Sequence, residues 1–294
     1  AQTTLSPQIA GLTCAGSNIN LQVSQVIGAT YQWTGPNGFS STIYNPSIPN
    51  ANTSNSGLYS VAMNILGCGV FRDSIDLIVH PAPTITISPN DSICQGQTKN
   101  LILTPTGTAP WRVGYTDGSK TDTLTIVTAP YTLAVSPKAQ TTYTLLSITD
   151  ANSCTAASLT GAPNVSSTVS LYAKPVPVFT VSAPACENQL FSFTDQSIAN
   201  TSGLARWYWN FKDGNTKDTT GGGTFTKSFA TWGTYPVQSL VESNKGCLSD
   251  TVTTNVTVHP KPVVGFILPK VCLSDASALF TDTTTIADGS AAQM

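Results

Sequence analysis

Apolar residues alternate with Thr, Ser and Asn along most of this chain, and turn residues interrupt the alternation every eight to twelve positions. Ile19-Leu21-Val23, Leu101-Leu103, Leu124-Ile126, Phe191-Phe193 and Val252-Val256-Val258 follow the period of two that places one face of a strand in a core. No stretch keeps apolar residues at three- and four-residue spacing for three turns, so the pattern predicts strands and no helices. Turns are marked by Gly35-Pro36-Asn37-Gly38, Asp117-Gly118, Asp213-Gly214-Asn215 and Gly221-Gly222-Gly223. Short strands at this spacing predict an all-β protein built of β-sandwiches.

Cysteine spacing divides the pattern into repeats. Cys14 and Cys68 are separated by 54 residues, Cys94 and Cys154 by 60, and Cys186 and Cys247 by 61. Each pair closes before a proline-rich seam: Val79 to Pro83, Tyr172 to Pro177 and Val258 to Pro262. A spacing that recurs with its linkers predicts a tandem array of similar modules, each with one internal disulfide. The expected modules are 1–80, 81–173, 174–260 and 261–294. The last is the start of a further, incomplete module, because PKVCLSDASALFTD around Cys272 parallels SAPACENQLFSFTD around Cys186. Cys272 is therefore expected to find its partner beyond residue 294, with an unpaired, reactive thiol as the alternative. Zinc-type spacings of Cys and His are absent, which favours disulfides and an oxidising compartment.

The first module contains Tyr31-Gln32-Trp33 followed by Gly57-Leu58-Tyr59. A Trp on a central strand and a Tyr after a glycine corner resemble immunoglobulin-like domains. Cys68, nine residues after Tyr59, is expected near the next hairpin. In the third module, Trp207-Tyr208-Trp209-Asn210-Phe211-Lys212-Asp213-Gly214 precedes Gly233-Thr234-Tyr235-Pro236-Val237. This resembles the PKD domain, whose hallmark is W-x-F-x-D-G followed by G-x-Y-x-V; Lys212 stands where the family favours Gly. Trp207, Trp209 and Phe211 are expected to share the core face, leaving Tyr208 and Asn210 outward. The four segments together resemble the repeat regions of Bacteroidetes cell-surface proteins. That resemblance implies an adhesin or gliding-motility type of exported protein carried by type IX secretion.

Composition narrows the chemistry. Charged residues make up 10% of the chain and the net charge is −2, so no basic field exists to attract nucleic acid. No apolar run reaches membrane-spanning length. A charged, apolar leader is also lacking, so a secretion signal is expected to have been removed or to lie outside this stretch. His80 and His259 recur in two VHP seams, as structural residues do, and Glu187 and Glu242 are the two glutamates. Asp213 sits in an Asp-Gly turn, where its side chain caps its own backbone. Neither a nucleophile elbow nor a phosphate loop occurs, so no catalytic residue, cofactor or metal site is expected. Calcium is compatible with surface sandwiches, but no D-x-D-x-D-G loop argues for it.

Two kinds of surface site remain. Ser74, Ser92, Thr123 and Thr251 each follow Asp and precede an apolar residue. Those triplets resemble the O-glycosylation motif of Bacteroidetes exported proteins. Trp111 and Trp232 are candidate contacts for a ligand such as a glycan. The expected function is a non-catalytic extracellular stalk, structural or adhesive, at the bacterial surface. Expected partners are other surface proteins, glycans or further copies of itself. Two alternatives are a filament subunit assembled by strand exchange at the incomplete end, and a carbohydrate-binding region of a secreted enzyme.

Overall fold

The structure, a computed structural model, describes residues 5–156, 158–270 and 277–289. Among these residues the regular elements are strands and two short 3-10 turns, Pro36–Gly38 and Thr53–Asn55. The chain divides into two compact units, residues 1–170 and 171–294.

The first unit holds two sandwiches. In the first, Gln8–Ala10, Ile19–Gln22 and Ser47–Ile48 form one sheet, and Ser40–Ser41, Ala29–Thr34, Gly57–Ile65 and Gly69–Leu77 form the other. Ile19 and Leu21 point inward while Asn20 and Gln22 face solvent, as the pleat of a half-buried strand requires. They pack with Trp33, Tyr59, Val61, Met63 and Leu77. The Tyr59 hydroxyl donates to the Asn55 carbonyl at 2.9 Å, fixing the corner that leads into its strand. Gly35 lies under this ring: a Cβ there would fall 2.4 Å from a Tyr59 ring carbon.

In the second sandwich, Ile85–Ile87, Lys99–Pro105 and Tyr131–Val135 form a three-stranded sheet. It faces a five-stranded sheet ordered Thr121–Ile126, Trp111–Thr116, Thr141–Thr149, Ser166–Tyr172 and Asp91–Cys94. Leu101, Leu103, Val113, Ile126, Leu145 and Val169 fill the space between them.

The second unit contains the third sandwich. Phe179–Val181, Leu190–Asp195 and Thr224–Ser228 form one sheet. The other runs Ala185–Cys186, Val252–His259, Gly233–Ser243, Leu204–Asn210 and Thr216–Thr219. Its core is aromatic: Phe193 lies 6.0 Å from Trp209, 5.5 Å from Phe211 and 5.4 Å from Phe225, ring centre to ring centre. Trp207, Trp209 and Phe211 are buried on one face, with Tyr208 and Asn210 on the other, as the alternation of the strand predicts. Tyr235 stacks on Phe229 at 4.4 Å and donates its hydroxyl to the Thr231 carbonyl at 2.8 Å. That backward reach of four residues matches the one from Tyr59 to Asn55. Beyond this sandwich, Phe266–Ile267 pairs with Thr281–Asp282, and Val263, Phe266, Leu268, Leu279 and Phe280 are exposed.

The disulfides depart from expectation. Cys14 is bonded to Cys154, with a Cα–Cα distance of 5.4 Å across 140 residues of sequence. Cys68 and Cys186 are free thiols, whereas Cys94 and Cys247 are disulfide-bonded. The pairs Cys14–Cys68, Cys94–Cys154 and Cys186–Cys247 are therefore not formed. The register of the strands explains why. Cys14 bridges His80, just past Leu77, and Leu77 pairs with Gly57 at one end of the hairpin formed by Gly57–Ile65 and Gly69–Leu77. Cys68 lies in the turn at the other end, nine residues of strand away, or about 25 Å at strand rise. A disulfide joins Cα atoms no more than about 7 Å apart. Cys186 and Cys247 are kept apart in the same way by Val252–His259, since Cys186 pairs with His259 and Cys247 precedes that strand. The recurring spacing thus reflects recurring places in each sandwich and not bonds within it. Cys272 lies outside the described residues.

Candidate functional site at the module joint

The joint between the first two sandwiches is built from four short segments. At the end of the first sandwich, His80 N–H donates to the Thr13 carbonyl at 2.8 Å and the His80 carbonyl accepts from Ala15 N–H at 2.8 Å. Cys14 is held between these bonds, and its sulfur meets Cys154. Cys154 sits in the turn that follows Thr141–Thr149, where Thr149 and Thr155 bridge.

A buried carboxylate shapes that turn. Asp150 Oδ1 accepts from the N–H groups of Asn152 and Cys154, both at 3.0 Å, and Oδ2 accepts from Thr108 N–H at 3.2 Å. Asn152 also donates from its side chain to Thr108 Oγ1 at 2.9 Å. Gly107, with φ at +95°, approaches so closely that a Cβ would lie 3.0 Å from Asp150 Oδ2 and 3.2 Å from Pro83. The carboxylate therefore fastens the cysteine turn to the loop beside the seam.

The third sandwich repeats the device with a hydroxyl. Ser243 Oγ accepts from Lys245 N–H at 3.3 Å and Cys247 N–H at 3.1 Å. The Ser243 N–H donates to the Cys247 carbonyl at 2.9 Å, as Asp150 N–H does to Cys154. Sequence reading missed this pair of caps, although an Asp or Ser four residues before the cysteine is visible in DANSC and SNKGC.

The candidate ligand contacts separate. Trp111 is buried, 7% exposed, and its indole N–H donates to the Thr106 carbonyl at 2.8 Å. It is a core residue, which corrects the expectation of a contact there. The sign was present in the sequence, because Trp111 and Val113 share one face of the strand. Trp232 is 49% exposed and stands just before Gly233–Ser243.

The four Asp-Ser/Thr triplets all lie on or at the start of strands. Ser74, Thr123 and Thr251 are exposed and Ser92 is half-buried. In three of them the aspartate accepts from the N–H of the following residue: Asp73 to Ser74 at 2.8 Å, Asp91 to Ser92 at 2.7 Å and Asp122 to Thr123 at 2.8 Å. Asp250, before Thr251, instead pairs with Lys174 Nζ at 2.7 Å.

Other polar groups serve turns. Asp213 Oδ1 accepts from Asn215 N–H at 3.0 Å and Oδ2 from Lys227 Nζ at 2.5 Å. Burial raises the pKa of Asp213, but Lys227 and Asn215 outweigh it and leave the carboxyl below its ordinary range. Asp117, which accepts from Lys120 N–H and from both groups of Ser119, is lowered to about 2. Lys99 is the main cause of the lowered pKa of Asp91, with which it pairs. The imidazole Nδ1 of His259 lies 2.8 Å from Asp288 Oδ2. Among the described residues, no cluster of three or more His, Cys, Asp or Glu side chains could hold a metal ion. No helix among them is long and apolar enough to cross a membrane.

Comparison with known proteins places the PKD motif on firmer ground. The PKD domain family model matches residues 172–258. No curated protein matches the chain. Among solved structures, the chain is similar to the PKD1 domain of a Vibrio cholerae metalloprotease, PrtV, at 24% identity over 29% of this chain and 96% of that one, with a TM-score of 0.25. Three N-terminal domains of the bacteriophage RB49 highly immunogenic outer capsid protein match at 13% identity over 88% and 100%, with a TM-score of 0.43. The fibronectin(III)-like modules of Clostridium thermocellum CbhA match at 17% identity over 60% and 94%, with a TM-score of 0.33. The chain is a tandem array of β-sandwiches, the third of which falls on the residues that match the PKD domain model. PKD domains and structural disulfides are typical of extracellular proteins.

Proposed function

We propose that this array is a non-catalytic extracellular stalk that spaces or presents a binding element at a bacterial surface. The observation that carries the reading is the Cys14–Cys154 bond, which ties consecutive sandwiches to each other. A disulfide inside one domain protects that domain alone. One that spans a joint makes separation of neighbours under load require chemical reduction or unfolding, which suits a part that bears tension. Asp150 and the Pro83 seam stiffen the same place. A Bacteroidetes adhesin or gliding-motility protein fits this build, as do O-glycans on the outward hydroxyls of Ser74, Thr123 and Thr251.

Immunogold electron microscopy of intact source cells tests the proposal. Antibody against residues 5–156 should decorate projections on the cell surface. Label confined to the cytosol would overturn it.

One observation favours a second reading. The exposed apolar residues Val263, Val264, Phe266, Ile267, Leu268, Leu279 and Phe280 could accept a strand from a neighbouring copy, giving a filament. Sedimentation separates the readings: polymers formed by residues 1–294 and not by a chain ending at Val258 support strand exchange. Monomers in both cases remove it. The exposed ring of Trp232 keeps glycan binding open to a test by retention on polysaccharide before and after Trp232→Ala.

A further inference from the structure

Three cysteines open the three sandwiches in one and the same turn. After Cys14, Ser17 N–H donates to the Cys14 carbonyl at 3.0 Å; after Cys94, Gln97 N–H does so at 3.0 Å; after Cys186, Gln189 N–H does so at 3.1 Å. The third residue of each turn is left-handed: Gly16 at φ +86°, Gly96 at +87° and Asn188 at +63°. The N–H groups of Cys94 and Cys186 in turn donate to Oε1 of Gln97 and Gln189, at 3.1 Å and 3.3 Å. Cys14 lies in a parallel bridge opposite His80, and Cys186 pairs in parallel with His259, the matching residue of the other VHP seam. Ala15 N–H and Glu187 N–H donate to those two histidine carbonyls at 2.8 Å and 2.9 Å. Two of the three equivalent sulfurs, Cys14 and Cys94, are disulfide-bonded, and the third, Cys186, is a free thiol.

We infer that Cys186 is an inter-module disulfide site, whose partner is a turn cysteine of another sandwich of this type. The bonded equivalent defines that partner. Cys154 sits in a turn whose first residue, Asp150, caps the cysteine N–H from four positions earlier, and Cys247 follows Ser243 in the same relation. The partner of Cys186 is therefore a turn cysteine preceded by Gly or Ser at one position and, at four, by a residue of capping type: Asp150 before Cys154, Ser243 before Cys247 and Asn64 before Cys68. It is carried either by a sandwich further along the same polypeptide or by a second copy of this chain. In the second case Cys68, an exposed free thiol in a turn between two strands, is the available group. Bond formation removes two protons and two electrons from the two thiols. The disulfide of a thiol–disulfide oxidase accepts them: a thiolate attacks the mixed disulfide and the oxidase leaves as its dithiol. This inference rests on the equivalence of the three turns and stands whether or not the array carries a ligand.

The test is peptide mapping of protein isolated from its source, alkylated under non-reducing conditions before digestion. The expected result is loss of the alkylated Cys186 peptide and its recovery joined to a peptide of the stated type. An apparent mass unchanged by reduction, apart from unfolding, identifies the same polypeptide as the source. A mass that falls to the single chain on reduction, with a Cys186–Cys68 peptide, identifies a second copy. Recovery of Cys186 as the alkylated thiol overturns the inference, and so does its recovery joined to Cys247 or Cys272. The Cys14–Cys154 peptide in the same digest shows that the protein was oxidised and correctly folded, so a free Cys186 could not be blamed on reducing conditions.

Discussion

Replacing Cys14 and Cys154 together by Ala removes the bond across the first joint and leaves no buried hydroxyl in its place. The closed segment spans 140 residues. In the chain-entropy treatment, closing a loop of that length costs the unfolded chain about 5 kcal/mol, and measured losses on removing native disulfides run from about 2 to 5 kcal/mol. Both sulfurs are buried, so two small cavities add to the loss. The expected destabilisation is therefore about 3–5 kcal/mol. Urea unfolding followed by fluorescence reads it, since Trp33 and Trp111 are buried in the two sandwiches concerned. Cys68→Ala is the control. Its sulfur is exposed and free, so its loss should change stability by less than about 0.5 kcal/mol. Equal costs for Cys68→Ala and the double replacement would refute the reasoning, because they would return Cys14 to a partner within its own sandwich.

Three more outcomes follow from the side-chain environments. Trp111→Ala and Trp209→Ala should each cost about 3–5 kcal/mol in urea unfolding, and Trp232→Ala, at an exposed position, no more than about 0.5 kcal/mol. Tyr59→Phe keeps the ring and loses the bond to Asn55, which should cost about 1 kcal/mol by the same assay. For Asp117, carboxyl NMR should show a midpoint near 2. Its folded pKa lies below the unfolded one, so its stabilising effect is complete above the ordinary carboxylate range and is lost as pH falls towards 2. A midpoint at the ordinary value would mean that Ser119 and Lys120 do not hold the carboxylate.

Local order was legible because it is carried by neighbours in sequence. Period-two alternation placed Ile19, Leu21, Phe191, Phe193, Trp209 and Phe211 inside, and burial of these residues is what draws the two sheets of each sandwich together. Asp-Gly and Gly-Pro turns are set by backbone preferences within four residues, so Asp213 was recognisable as a turn cap. The tyrosine corner at Tyr59 was equally visible, since its hydroxyl bonds only four residues back.

The bonding of the cysteines was not legible. Equal spacing reveals that Cys14, Cys94 and Cys186 occupy one place in their modules and Cys68, Cys154 and Cys247 another; it does not say which sulfurs meet. That depends on which end of a sandwich each reaches, and the register of Gly57–Ile65 on Gly69–Leu77 puts Cys14 and Cys68 at opposite ends. The sequence by itself determined strands, turns, cores and the repeat, all of which follow from short-range pattern and burial. Only the tertiary structure decided that Cys14 reaches forward to Cys154, because a disulfide requires two sulfurs within bonding distance and strand length, not residue count, sets that distance.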